Sequence, residues 1–210
     1  MDICREKLLQ GITALGLNIS QDQCAALLDF IKLIVKWNKA YNLTAVRDPE
    51  EMVSLHLLDS LAILPHIKPP LVADIGTGAG LPGIPLAICM PDCRFVLVDS
   101  NSKKTRFALQ AVLDLRLKNV EVVHSRVEQF LPALPFSTVI ARAFAGMADI
   151  LKLTGHLLAD DGVLLAMKGR CPDQELAELT AAAAYSVIPI LVPGIAAERC
   201  LIQMEMHKHG

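Results

Sequence analysis

Leu71-Val72-Ala73-Asp74-Ile75-Gly76-Thr77-Gly78-Ala79-Gly80-Leu81-Pro82-Gly83 reads as an apolar strand that ends in Asp-x-Gly-x-Gly-x-Gly and turns tightly against a bound ligand. Glycines remove the side chains that would block so close an approach. A second apolar strand, Arg94-Phe95-Val96-Leu97-Val98-Asp99, closes on an acid 23 residues after Gly76. That spacing suits a carboxylate gripping a ribose. Strand, glycine turn, helix, strand and acid together describe a nucleoside-binding βαβ unit whose ligand lies beyond the carboxyl ends of the strands.

Gly78-Ala79-Gly80-Leu81-Pro82-Gly83 also satisfies the G-x-G-x-x-G dinucleotide fingerprint. Two details favour S-adenosylmethionine over NAD. Asp74 stands two residues before Gly76, where a carboxylate can face the amino-acid part of the ligand or order water beside it. Pro82 removes a backbone N–H that would otherwise help to cradle a pyrophosphate at the helix N-terminus. A sulfonium ligand carries no phosphate. Asp74, Gly76, Gly78 and Asp99 are therefore the cofactor residues expected from this unit.

The chain has 210 residues, of which 53% are hydrophobic, enough for a sizeable core. It contains no apolar run of the roughly 18 to 20 residues that a membrane span needs, and Met1-Asp2-Ile3-Cys4-Arg5-Glu6 is charged where a signal peptide is apolar. A cytoplasmic monomer with no obligate protein partner is expected. The six cysteines form no C-x-x-C pair and sit mostly among apolar neighbours, as buried free thiols do. The six histidines are scattered, with His207 and His209 in a solvated tail, so no metal site is expected. A net charge of −2 requires any nucleic-acid-binding surface to be local.

Residues 1–68 read as a helical extension packed on a domain spanning 69–210. In the extension, Ser20 and Gln23 form a capping box ahead of a buried face at Leu27, Leu28, Ile31, Ile34 and Val35. Asp48-Pro49-Glu50-Glu51 starts another helix with a second capping box, running to about Leu64. Beyond Pro70, strands are expected at 71–74, 94–98, 120–124, 138–141 and 163–167, alternating with helices at 82–89, 103–117, 147–158 and 173–184. Two final strands, 186–192 and 199–206, permit a hairpin. The expected class is α/β: a Rossmann-like, mostly parallel doubly wound sheet with a C-terminal antiparallel hairpin.

The segments Lys36-Trp37-Asn38-Lys39-Ala40-Tyr41-Asn42-Leu43-Thr44, His56-Leu57-Leu58-Asp59-Ser60 and Asp74 to Pro85 follow one another in a specific order. With Val98-Asp99-Ser100, Ser125-Arg126-Val127-Glu128, Arg142-Ala143-Phe144-Ala145 and Lys168-Gly169, they resemble the glucose-inhibited division protein B family of bacterial 16S ribosomal RNA guanine-N7 methyltransferases. The chain departs from the family pattern at Leu55, Ala79 and Ala141. The resemblance implies an S-adenosylmethionine cofactor and 16S rRNA of the small ribosomal subunit as partner. It further implies that Gly76 and Leu81 contact the cofactor, that Asp99 holds its ribose, that Val127 and Glu128 flank its adenine, and that Arg142 belongs to the same pocket.

Guanine N7 carries a lone pair and no proton, so its methylation requires alignment and desolvation but no obligatory base. No acid–base pair stands out, and neither an Asn/Asp-Pro-Pro-aromatic turn nor a cysteine nucleophile sits at the expected strand end. Arg142 and Lys168, each after a strand, are the candidate catalytic residues, as donors to guanine O6 and N7 or to a phosphate. His56 and Asp59, one helical turn apart among leucines, are expected to bridge the helical segment to the sheet, with orienting the substrate as the alternative. Trp37 is expected in the core, with base stacking by Trp37, Tyr41 and Asn42 as the alternative. Lys32, Lys36 and Lys39, with Arg47, Lys103, Lys104 and Arg106, are the candidate RNA-facing cations. A small-molecule methyltransferase and a noncatalytic RNA-binding assembly factor are the competing functions.

Overall fold

The computed structural model describes residues 1–142, 146–177 and 183–206. Strands β1 (Leu71–Ile75), β2 (Arg94–Asp99), β3 (Val120–His124), β4 (Phe136–Arg142), β5 (Leu158–Lys168), β6 (Ala183–Pro189) and β7 (Cys200–Met206) form one sheet in the order β3-β2-β1-β4-β5-β7-β6. The first five run parallel, and β7 pairs antiparallel with both β5 and β6. This is the expected doubly wound sheet with its hairpin. The order reverses between β1 and β4, and an open α/β sheet leaves a crevice at the carboxyl edge there.

Strand periodicity assigns the two faces. Val72, Phe95, Ile140, Leu165 and Leu201 pack with Leu86 and Ala87 of α5 (Gly83–Cys89). Their chain neighbours Ala73, Val96, Val139, Leu164 and Ile202 pack with Met147 and Ile150 of α7 (Met147–Thr154) and Leu176 of α8 (Asp173–Ala177).

Two long helices, α1 (Asp2–Ala14) and α2 (Gln21–Tyr41), lead the chain. Leu27, Phe30 and Ile31 share a buried cluster with Ile84 and Ile88 of α5 and with Phe107 and Ala111 of α6 (Ser102–Asp114). The Phe30 and Phe107 rings stack at 6.3 Å, and neither side chain is exposed. Each such burial is worth on the order of 2 to 3 kcal/mol in transfer terms. The Ser20/Gln23 capping box forms as expected, and the Gln23 amide also donates to the Ile88 and Cys89 carbonyls that end α5.

Several boundaries differ from expectation. Pro49 opens only a four-residue helix, α3 (Pro49–Met52), which passes through a π-helical turn, Val53–Leu58, into α4 (Asp59–Leu61). Asp48 caps it by accepting from Glu50 N–H at 3.1 Å, without the expected return bond from Glu51. Helix α7 stops at Thr154, and Leu158 already belongs to β5. Helix α8 ends at Ala177, and Ala183 and Ala184 lie in β6, opposite Met206 and Glu205. Sheet pairing there overrides alanine's helix propensity. Likewise β6 ends at Pro189 instead of continuing to Val192. The remainder of the expected 173–184 helix, Ala143 to Ala145, His207 and His209 lie outside the described residues. All six cysteines are free. Among the described residues no helix is long and apolar enough to cross a membrane.

Candidate active site

The turn after β1 is shaped by its glycines and braced by two acids. Gly76 and Gly78 have φ of +71° and +59°, the left-handed region that side chains disfavour. Gly76 N–H donates to Val98 O at 2.8 Å, tying the turn to β2. Asp99, at the end of β2, accepts from Gly78 N–H through Oδ2 and from Asn101 N–H through Oδ1, both at 2.8 Å. A carboxylate has about four acceptor sites, so these bonds leave capacity for a pair of ribose hydroxyls.

Asp74 braces the turn from beneath. Its Oδ2 accepts from Thr77 Oγ1 at 2.6 Å and from Gly83 N–H at 2.8 Å. The residue is fully buried, and Oδ1 has no protein partner. Asp74 does not line the cavity that the turn opens on, so in place of the expected role facing the ligand the structure gives it a bracing role that the sequence did not signal. Gly83 must lack a side chain, because a Cβ there would stand 2.7 Å from Asp74 Oδ2 and collide with Leu97.

Burial pushes the Asp74 carboxyl from 3.8 up to about 6, opposed by the Thr77 and Gly83 hydrogen bonds. A raised carboxyl pKa means that the native state holds a proton that the unfolded chain has released. Stability from this group is therefore lost as pH rises from about 4 to 6, by on the order of 3 kcal/mol. Asp74→Asn removes that linkage. Urea unfolding across this window should show the variant gaining on the wild type as pH rises, and a constant difference would contradict the assignment.

The turn opens on a cavity of about 290 Å³ lined by Gly76, Asp99, Ser100, Lys104, Val127 and Glu128. Four of the expected cofactor residues thus meet at one place. Gly78 joins them through its bond to Asp99, and a Cβ there would point toward Lys104 Nζ, 3.8 Å away. Leu81 is buried in the cluster it shares with Ala79 and Ile84 and does not line the cavity.

Arg142 and Lys168 line a second cavity, about 250 Å³, at the ends of β4 and β5. The register pairs Ile75 with Ala141, so Arg142 lies one residue beyond the end of β1, across the switch point from the glycine turn. Its Nη2 reaches the Leu55 carbonyl at 3.0 Å and Asp59 Oδ2 at 3.1 Å. Asp59 Oδ1 accepts from Arg199 Nε at 2.9 Å. Asp59 therefore bridges helix and sheet, as expected. Arg142 does not line the first cavity and stands at the switch point between it and the second. Arg199 is a site residue that the sequence reading missed. It looks like an ordinary strand entry, and only the pairing of Lys168 with Cys200 brings it to the cavity.

The remaining motif residues support this edge. His56 is buried in the π-helical turn, with Nε2 3.0 Å from Thr44 Oγ1, and burial holds its imidazole below the usual range. Asn38 exchanges two 3.0 Å hydrogen bonds with the Thr44 backbone. Trp37 packs against Phe107 at 5.9 Å and Tyr41 at 5.1 Å, a core position at the rim. Among the described residues no three His, Cys, Asp or Glu side chains gather as metal ligands.

A doubly wound sheet of this order, with a glycine turn and a strand-end acid around a nucleoside-sized cavity, defines a Rossmann-like S-adenosylmethionine-dependent methyltransferase. A methyltransferase from Geobacter sulfurreducens shares the fold with a TM-score of 0.59 at 17% identity, covering 85% of this chain and 90% of that one. So does the N-methyltransferase NodS from Bradyrhizobium japonicum WM9, solved with S-adenosyl-l-homocysteine, with a TM-score of 0.57 at 16% identity, covering 83% and 100%. The family model described as rRNA small subunit methyltransferase G (GidB) matches residues 23–202. Relatives called ribosomal RNA small subunit methyltransferase G include one from Methylobacillus flagellatus, 50% identical over 198 residues, covering 94% of this chain and 96% of the relative. Another, from Legionella pneumophila strain Corby, is 52% identical over 193 residues, covering 92% and 90%. The chain belongs to the rRNA small subunit methyltransferase G family.

Proposed function

We propose that the chain transfers a methyl group from S-adenosylmethionine to N7 of a guanine in 16S rRNA of the small ribosomal subunit. The observation that carries this is the second cavity, where Arg142, Lys168 and Arg199 converge across the switch point from the cofactor cavity. Gly76, Gly78 and Asp99 are the proposed holders of the cofactor, with Val127 and Glu128 beside its adenine; Asp74 and Leu81 act by shaping the turn. Bound S-adenosylmethionine supplies a methyl group on a sulfonium. The N7 lone pair forms the new N–C bond as the C–S bond breaks and its electron pair stays on sulfur, with no proton to remove. Arg142 and Lys168 orient the guanine or an adjoining phosphate, both of which present acceptors to such donors.

Residues 1–68 serve as a helical extension that completes the site on the 69–210 domain, since Leu55 and Asp59 hold Arg142. A ribosomal substrate implies a cytoplasmic location. The test is sequencing for 7-methylguanosine in 16S rRNA from cells lacking the protein, beside transfer assays on small subunits and on a metabolite panel. Loss of one 7-methylguanosine supports the proposal. Turnover of a metabolite alone would establish a small-molecule enzyme, and cofactor binding without turnover a noncatalytic assembly factor.

The RNA-facing surface is proposed on the side of α2 where Lys32, Lys36 and Lys39 line a groove with Met1 and Pro49. Lys36 and Lys39 are exposed there, whereas Lys32 pairs with Asp29 at 2.7 Å and Lys103 is exposed separately at the start of α6. Reversing charge at Lys36 and Lys39 is expected to weaken small-subunit binding and to lower the salt slope by about 1 for each phosphate that is no longer neutralised. Cofactor affinity should not change. Unaltered subunit methylation by Lys36→Glu/Lys39→Glu at physiological salt would move the RNA surface elsewhere.

A further inference from the structure

Lys168 ends β5 on a long stem with many rotamers, and a cation that wanders among them aligns nothing. Here the stem is restrained. Lys168 Nζ lies 3.3 Å from Glu175 Oε2, and that same oxygen accepts a 2.8 Å hydrogen bond from Met147 N–H. Met147 is fully buried and opens α7, whose N-cap, Gly146, has no side chain with which to cap the helix. Glu175 is held in turn by its neighbour Leu176, buried in the core on the same side of the sheet. The acid thus grips three parts of the fold: α8, the start of α7, and the end of β5.

We propose that Glu175 is a positioning residue for methyl transfer, holding the Lys168 ammonium at the wall of the second cavity. The inference rests on the role proposed above for Lys168. Glu175 also balances charge. Transfer from a sulfonium to neutral N7 moves positive charge onto the guanine, which an uncompensated ammonium nearby opposes. Three cations line the cavity, and Asp59 is the acid among its lining residues. Glu175 adds a second anion against Lys168 from just outside.

The experiment is a double-mutant cycle on the full chain: wild type, Glu175→Gln, Lys168→Ala and the double variant. Single-turnover methylation of saturating small subunits is measured at saturating S-adenosylmethionine, with calorimetric cofactor affinity and thermal melting alongside. The glutamine amide oxygen still accepts from Met147 N–H, so the fold and cofactor affinity should persist. The single-turnover rate should fall about tenfold, the scale of one charge-assisted hydrogen bond. In the Lys168→Ala background the same change should cost less than about twofold, because the group through which Glu175 acts is gone. A purely structural glutamate would cost the same in both backgrounds, and that result overturns the proposal. A wild-type rate in Glu175→Gln with a slow Lys168→Ala also overturns it, while leaving the Lys168 role intact. A wild-type rate in Lys168→Ala removes that role and the inference together. If melting shows that Glu175→Gln is unfolded, Glu175→Asp takes its place in the cycle, and absence of coupling there is equally decisive.

Discussion

Asp59→Ala is expected to lose about 3 kcal/mol of stability, among the largest effects of any single polar truncation in this chain. The Asp59 side chain is 4% exposed, accepts a hydrogen bond from Arg199 and is ion-paired with Arg142, and both guanidinium groups are themselves only about a quarter exposed. Removing the acid leaves two close cations without their counterion, each partly desolvated, which costs more than the pair contributes when intact. Residual solvent access to the arginines keeps the loss at the lower end of the range for buried pairs. Urea unfolding at neutral pH measures it, and a loss below about 1 kcal/mol would show that water or rotamer changes compensate the arginines. Asp59→Asn should fall between, since the amide oxygen still accepts one bond while the charge is gone.

The second large effect belongs to cofactor binding. Asp99→Ala should weaken S-adenosylmethionine affinity by about 1 to 3 kcal/mol, toward the upper part of that range. Three losses combine in this substitution, one of them the bond from Asn101 N–H at the start of α6. The ribose hydroxyls lose a charged acceptor, and Gly78 N–H loses one of the bonds that hold the glycine turn against β2. Asp99→Asn keeps an acceptor for Gly78 while removing the charge, so its smaller loss gauges the part that the charge contributes. Calorimetry on both variants measures these losses, and full affinity in Asp99→Ala would sink the assignment of Asp99 to the ribose.

What the sequence made legible was local. The glycine turn and the acid that closes β2 sit within one βαβ unit, so spacing alone placed Gly76 and Asp99 at the same cavity. The Ser20 cap and the buried stripe of α2 were readable for the same reason, because their partners lie three or four residues away. Relations between distant segments were not. Arg199 meets Asp59 across 140 residues, and no local pattern distinguishes it from any charged residue entering a strand. Asp74 had a visible position but a hidden partner, since only the folded turn brings Gly83 N–H back onto its carboxylate. The alanines at 183 and 184 misled because propensity is a weak local term, and pairing with β7 outweighs it. The π-helical turn at Val53–Leu58, whose Leu55 carbonyl accepts from Arg142 87 residues away, leaves no trace in spacing.

The link from Asp59 to Arg199 also has a meaning in time. A chain made from its N-terminus exposes Asp59 and Arg142 long before Arg199 leaves the ribosome, and domains consolidate as their segments emerge. The cofactor turn and the strands beside it are complete early, yet the cavity across the switch point has to wait for β7 to slide in beside β5. Through that interval the second cavity lacks Arg199 and Cys200 from its wall. The last cation of that wall is also the last to be synthesised, and the charge around Asp59 is balanced in its final form only once that arginine has arrived.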